Sequence, residues 1–123
     1  MIMSYLFVAL GGAVGATGRY AISLIPFKPD FPALTFLTNL LGALLIGLVA
    51  GLAEDRDRLP ENAVLFWKTG VCGGFTTFST FSLESHQLMQ ENKYLLGTGY
   101  MVISVICCLA GVYIGKRIAV IFS

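Results

Sequence analysis

Four long apolar blocks, about residues 5–24, 33–53, 63–89 and 94–115, are separated by short polar connections. An α-helix needs about 20 apolar residues, rising ~1.5 Å each, to cross a hydrocarbon core of roughly 30 Å. Each block is therefore read as one membrane span. Few residues remain for anything else, because the chain has 123 residues, of which 56% are hydrophobic and only 12% charged. A soluble domain carries about a quarter charged residues. The predicted fold class is thus an all-α membrane protein, a single four-helix transmembrane domain over residues 1–123. With no Lys or Arg before Arg19, and apolar residues continuing past the length of a signal-peptide core, the first block reads as a retained span. A net charge of +1 without a basic patch argues against a nucleic-acid partner. Cys72, Cys107 and Cys108 all lie in apolar blocks, form no CxxC and pair with no histidine, so they read as small buried thiols.

The third block contains Gly73-Gly74-Phe75-Thr76-Thr77-Phe78-Ser79-Thr80-Phe81-Ser82. A Gly-Gly pair followed by adjacent β-branched threonines is a poor helix, so a break in the third helix is expected here. Non-helical backbone at membrane depth survives only where protein buries it or it lines a wet cavity, since each free N–H or C=O facing lipid costs several kcal/mol. The stretch should face a partner or a pore.

The remaining polar residues are sparse. Gly11, Gly15 and Gly18 in the first block, and Gly47 and Gly51 in the second, form small-residue faces suited to close helix packing. Arg19, the one charge of the first block, reads either as a side chain snorkelling to the interface or as a fixed charge at a vestibule that attracts anions. Three prolines in residues 26–32 mark a loop. Asn39, with Thr35 four residues before it on the same face, reads as an interhelical hydrogen-bonding residue or as an amide that donates to an anion. Residues 54–62 form a charged, solvated loop. Trp67 and Lys68 suit an interfacial anchor, and His86 an interfacial position. Glu84 is either solvated near the end of its span or bonded to the hydroxyls of the break. Tyr100, Ser104 and Cys108 recur at i, i+4 and i+8, a weakly polar stripe on one helix face; the other reading is side chains bonded to their own i−4 carbonyls.

Four spans put the N-terminus, the charged loop and the C-terminus on one side. Arg56, Arg58, Lys68, Lys116 and Arg117 on that side stand against Arg19, Lys28 and Lys93 on the other, a bias the positive-inside rule reads only weakly. Such a chain can insert both ways, and an antiparallel homodimer, joined through the small-residue faces, would supply the wall that four short spans lack. A path lined by Phe78, Phe81, Asn39, the hydroxyls and the Tyr100 stripe holds no carboxylate pair for a cation and no ring of lysines. It offers hydrogen-bond donors and aromatic ring edges, whose rim is electropositive. Weak serial sites of this kind suit conduction of a small anion.

At these residues the sequence resembles the Fluc (CrcB) family of fluoride channels. The residues that carry the resemblance are the ten from Gly73 to Ser82, the Thr-Asn-Leu around Asn39, the Gly-Gly-Ala-Val-Gly run leading to Arg19, and Glu84 beyond the motif. The resemblance covers essentially the whole chain. It implies a dual-topology antiparallel homodimer in the cell membrane, bacterial plasma or inner membrane, that lets fluoride leave passively and electrogenically and so lowers cytoplasmic fluoride; it implies no enzyme activity. By position, Phe78 and Phe81 would present ring edges to fluoride and Asn39 a donor. Ser79, Thr80 and Ser82 would add hydroxyls, and Thr35 and Glu84 an associated network. Tyr100 and Ser104 would continue the track to Cys108, where a thiol replaces the family's hydroxyl and donates more weakly. A structural sodium ion at the dimer axis would be held by backbone carbonyls of Gly73 and Thr76. Two rival readings are a small dual-topology proton-coupled drug exporter and a non-transporting assembly subunit. The first requires a titratable carboxylate well inside the membrane, and the first block has none. The second leaves the donor-lined break unexplained.

Overall fold

The computed structural model describes residues 1–54 and 59–122, and the centre of the charged loop, residues 55–58 with Arg56 and Arg58, lies outside them. The described residues form helices and loops, with no strand among them. Helix α1 (Ile2–Ser23) leads through the proline loop into α2 (Ala33–Ala53). A continuous helical run then passes through α3 (Glu61–Val64), a π-helix π1 (Leu65–Cys72) and α4 (Gly73–Phe75). Thr76 and Thr77 are extended, after which come α5 (Phe78–Gln90) and α6 (Tyr94–Ile121).

Among the described residues α1, α2 and α6 are each long and apolar enough to cross a membrane. Their outer faces stay apolar where nothing in the chain covers them: Leu95 is 90% exposed and Leu109 68%. Water would not tolerate so much contiguous apolar surface, whereas lipid covers it without cost. The third block, expected as one span over 63–89 with a helix break inside it, is divided among α3, π1, α4 and α5, none of span length alone. The last helix continues beyond the predicted stop at residue 115. Lys116 pairs with Glu54 at 2.9 Å, so its charge is satisfied at the helix surface and does not terminate the helix. Ala119, only 1% exposed, seats against Gly51 one turn further on.

Two glycine-lined seams set the packing. Along the first, α2 lies on α6; a Cβ added at Gly47 would fall on the Val112 carbonyl, and one at Gly115 on the Leu44 carbonyl. Along the second, α1 lies on π1 and α4, with Gly11 against Phe66 and Gly70, and Gly15 against Val71. Backbones approach this closely only where both sides lack bulk, and without a hydrophobic driving force in lipid such contacts carry much of the helix association. The faces read from sequence as dimerisation surfaces are therefore spent inside the chain, because each finds a matching small-residue groove on a neighbouring helix. α5 packs on α6, where Tyr100 is wholly buried, and Cys72 is buried at the end of π1. All three cysteines are free thiols, with Cys107 and Cys108 half-buried.

Candidate functional site

The site grows out of the two extended residues. Thr76 has φ −82° and ψ 156°, and Thr77 φ −147° and ψ 115°, the conformation that adjacent β-branched side chains favour. Thr76 ends the preceding helix by giving both its N–H (3.0 Å) and its Oγ1 hydroxyl (2.8 Å) to the Cys72 carbonyl. Thr77 begins α5 as its N-cap, its Oγ1 accepting the Thr80 N–H at 3.1 Å. In an uninterrupted helix the Thr77 N–H would close on the carbonyl of Gly73. Here it donates to Asn39 Oδ1 at 2.8 Å, while Asn39 Nδ2 donates to the Thr77 carbonyl at 3.2 Å. Arg19 Nε donates to the Gly74 carbonyl at 3.2 Å. Two polar groups set loose by the step, the Thr77 N–H and the Gly74 carbonyl, thus gain protein partners, as half-buried backbone must, and the Thr77 carbonyl gains a donor from a side chain.

Beside the step lies a cavity of about 490 Å³, lined among others by Asn39, Thr76, Thr77, Phe78, Phe81, Ser104 and Cys108. Ser104 is 5% exposed, and its buried Oγ has no hydrogen-bond partner among the described residues. A buried hydroxyl left this way costs about 1–3 kcal/mol, and small hydrogen-bonding guests in the cavity would remove that cost. Phe78 and Phe81 have ring centroids 5.8 Å apart. Phe81 in turn tilts onto Tyr100 at 5.1 Å, and Phe31 from the proline loop meets Tyr100 edge-on at 5.3 Å. The Tyr100 hydroxyl donates to Glu84 Oε1 at 3.2 Å.

A second cavity, of about 380 Å³, opens on the far side of this aromatic cluster and is lined by Thr35, Thr80 and Glu84 together with Lys28, Asp30, Glu91 and Lys93. Its charges are mostly engaged. The Lys28 ammonium donates to the Ser23 carbonyl at 3.0 Å, and Lys93 lies 3.2 Å from Glu91 and 3.5 Å from Asp30. The hydrogen bond to Glu91, aided by Asp30, holds the Lys93 ammonium above the usual lysine range.

Comparison with known proteins places this arrangement. Residues 6–116 match the family described as CrcB-like protein, Camphor Resistance (CrcB). The chain belongs to that family. A protein of Azobacteroides pseudotrichonymphae named fluoride-specific ion channel FluC is 40% identical over 118 residues, 94% of each chain. One of the same name from Rhodospirillum rubrum is 41% identical and covers 98% of each chain. A third, from Ruminiclostridium cellulolyticum, is 44% identical over 91% of this chain and 88% of its own. With its apolar helices, this CrcB-family chain is a multi-pass membrane protein.

The residues singled out in the sequence fall into separate groups. Asn39, Phe78, Phe81, Ser104 and Cys108 meet at the larger cavity, and Thr35, Thr80 and Glu84 at the smaller. Tyr100 stands between them as a buried bridge from Phe81 to Glu84. Ser79 and Ser82 are exposed and line neither cavity; Ser82 donates to the Phe78 carbonyl at 2.9 Å, and Ser79 sits 3.4 Å from the Thr77 hydroxyl. Arg19 is half-buried on the Gly74 carbonyl. Asn39 spends one amide hydrogen on Thr77 and keeps one for the cavity. Two residues of the cavity lining, Thr77 and Lys68, were not assigned to the site from the sequence. Thr77 could have been found as the first hydroxyl of a Thr-x-x-Thr pattern opening a helix. Lys68, which lines the larger cavity, reads from sequence only as an interfacial anchor.

Proposed function

We propose that this chain is a fluoride channel that lets the ion leave the cell passively down its electrochemical gradient. The observation that carries the reading is the near full-length match to proteins named fluoride-specific ion channels. The chemistry of the larger cavity agrees with it. One free Asn39 amide hydrogen, the partnerless Ser104 hydroxyl and the phenyl edges offer a small anion replacements for lost water without holding it tightly. The fluoride path would run from this cavity past Phe81 and Tyr100 toward Thr80 and Glu84, with Cys108 a weaker donor below Ser104. Among the described residues no carboxylate lines the larger cavity, which leaves a proton-coupled drug exporter without the titratable group it needs there.

The same proposal includes the third membrane span, formed by π1, α4 and α5 on either side of the extended step. It also includes an antiparallel dimer. Phe78, at the cavity edge, is 79% exposed in a single chain, and a second copy would complete the wall there. A sodium ion at the dimer axis would be held by the carbonyls of Gly73 and Thr76 from both copies. The fit is sound for Gly73: its helical donor, the Thr77 N–H, is committed to Asn39, and carbonyl oxygens are the hard ligands such an ion takes. Once bound, the ion would supply positive charge between helix ends that repel each other.

Fluoride efflux from liposomes holding the purified protein tests the reading, with chloride and a pH jump as comparisons. Selective electrogenic fluoride release is expected, and Phe81→Ile should cut it at least tenfold while the folded protein survives. Drug-dependent proton movement, or no flux of any kind, would sink the proposal.

A further inference from the structure

Among the described residues, the 490 Å³ cavity has one charged side chain in its lining, Lys68, with the hydroxyl-bearing Thr69 next to it. Both residues are exposed. The other three lysines are all engaged: Lys28 on the Ser23 carbonyl, Lys93 on Asp30 and Glu91, and Lys116 on Glu54. Lys68 has no ion pair or hydrogen bond with any described residue. Arg19, the sequence's candidate for the charge at a vestibule, has its guanidinium turned to the Gly74 carbonyl.

A lone cation beside a cavity whose other walls are uncharged acts differently from one on an open surface. Low-dielectric walls focus its field along the opening, so the local concentration of small anions rises while the cavity itself stays free of tight binding. Opposite charge nearby would cancel this effect, and none among the described residues is paired with Lys68. We infer that Lys68 is the anion-collecting residue of the larger cavity: its ammonium draws small inorganic anions to the mouth and hands them on to the uncharged donors further in. This rests on the fluoride reading above, and adds to it the residue that sets how fast the ion arrives.

Such steering has a signature that packing does not share, because salt screens it. The Debye length is about 30 Å at 10 mM ionic strength and about 3 Å at 1 M. Fluoride flux would be measured in liposomes of uncharged lipid at both ionic strengths, for the unaltered protein, Lys68→Gln, Lys68→Arg and Arg117→Gln. Arg117 is exposed and lines none of the cavities described, so it controls for loss of a positive charge elsewhere. Lys68→Gln should lower flux about 3- to 10-fold at low salt and bring it level with the unaltered protein at high salt. Lys68→Arg should retain the low-salt flux, and Arg117→Gln should change it less than about twofold. Equal flux for Lys68→Gln at low salt, a loss of the same size at both salts, or failure of Lys68→Arg to keep the flux would each overturn the inference. If the unaltered protein releases no fluoride at either salt, it is the channel reading that fails.

Discussion

The two glycine seams use the same device and reach different ends. Along α2 and α6, two unbroken α-helices lie together with backbone against backbone, and the main-chain groups of their interior turns are satisfied within each helix. Along α1, the partner is a composite: a π-helix, a short α-helical turn and then two extended residues. There the main chain depends on side chains from elsewhere, Asn39 from α2 and Arg19 from α1. One half of the molecule is a scaffold, and the other spends the rigidity that scaffold provides on holding irregular backbone in place. Close packing without bulk gives stability, and irregularity with borrowed partners gives chemistry.

The comparison can be broken most severely at Gly47. An Ala there would put a methyl group on the Val112 carbonyl, with two straight helices and no slack to absorb it. Folded yield and thermal midpoint should drop, by about 1–3 kcal/mol or more. Gly99→Ala, where nothing lies within 4 Å, should leave both unchanged. Equal behaviour of the two variants would show that the first seam is not close-packed.

A smaller and more specific effect is expected at Asn39. Replacement by Ala strips the Thr77 N–H of its partner and the Thr77 carbonyl of its side-chain donor, at about 1–3 kcal/mol, and should cut fluoride flux more than tenfold. Thr38→Val, one residue away, loses only a hydroxyl that back-bonds to the Leu34 carbonyl at 2.8 Å within its own helix. It should keep most of the flux. If Thr38→Val does as much damage as Asn39→Ala, α2 supports the step by packing rather than through its amide.

Smallest of all is the effect of Lys93→Met, which removes two ion pairs outside both seams. Exposed pairs contribute little, so the thermal midpoint near neutral pH should not move measurably. Because the Lys93 pKa is raised, whatever it contributes is fully present below the ordinary lysine range. That contribution is lost as pH climbs through the raised value, and the variant should differ from the parent, if at all, on the neutral side of that range. A difference that appeared only at higher pH would contradict the sign.

How much of this could be read from the sequence follows from periodicity. The long helices announce themselves by uninterrupted apolar length, and α2 is found where the sequence places it. The polar residues at the larger cavity were legible too, since Asn39, Ser104 and Cys108 are exceptions in apolar runs. What stayed hidden depended on register or on a partner far along the chain. Within π1 each hydrogen bond spans one residue more than in an α-helix, so a periodicity of 3.6 residues per turn does not give the face on which Lys68 lies. Arg19 and Gly74 are separated by 55 residues, and nothing local announces their bond. The proton on the Tyr100 hydroxyl points to Glu84 for the same kind of reason: helices α5 and α6 must first be packed together.

The pairing between Asn39 and Thr77 has a last consequence. A carboxamide that takes an N–H and gives one back to the C=O of the same residue reproduces what a neighbouring strand offers in a ladder. The extended step is thus a one-residue β-bridge whose second strand is a side chain, carried by a helix. It keeps directional, two-point bonding at a depth where a real sheet edge could not exist, and it does so within one chain. A cation or a second copy would then find the Thr77 peptide already occupied, and Gly73 left as the carbonyl whose helical donor has gone elsewhere.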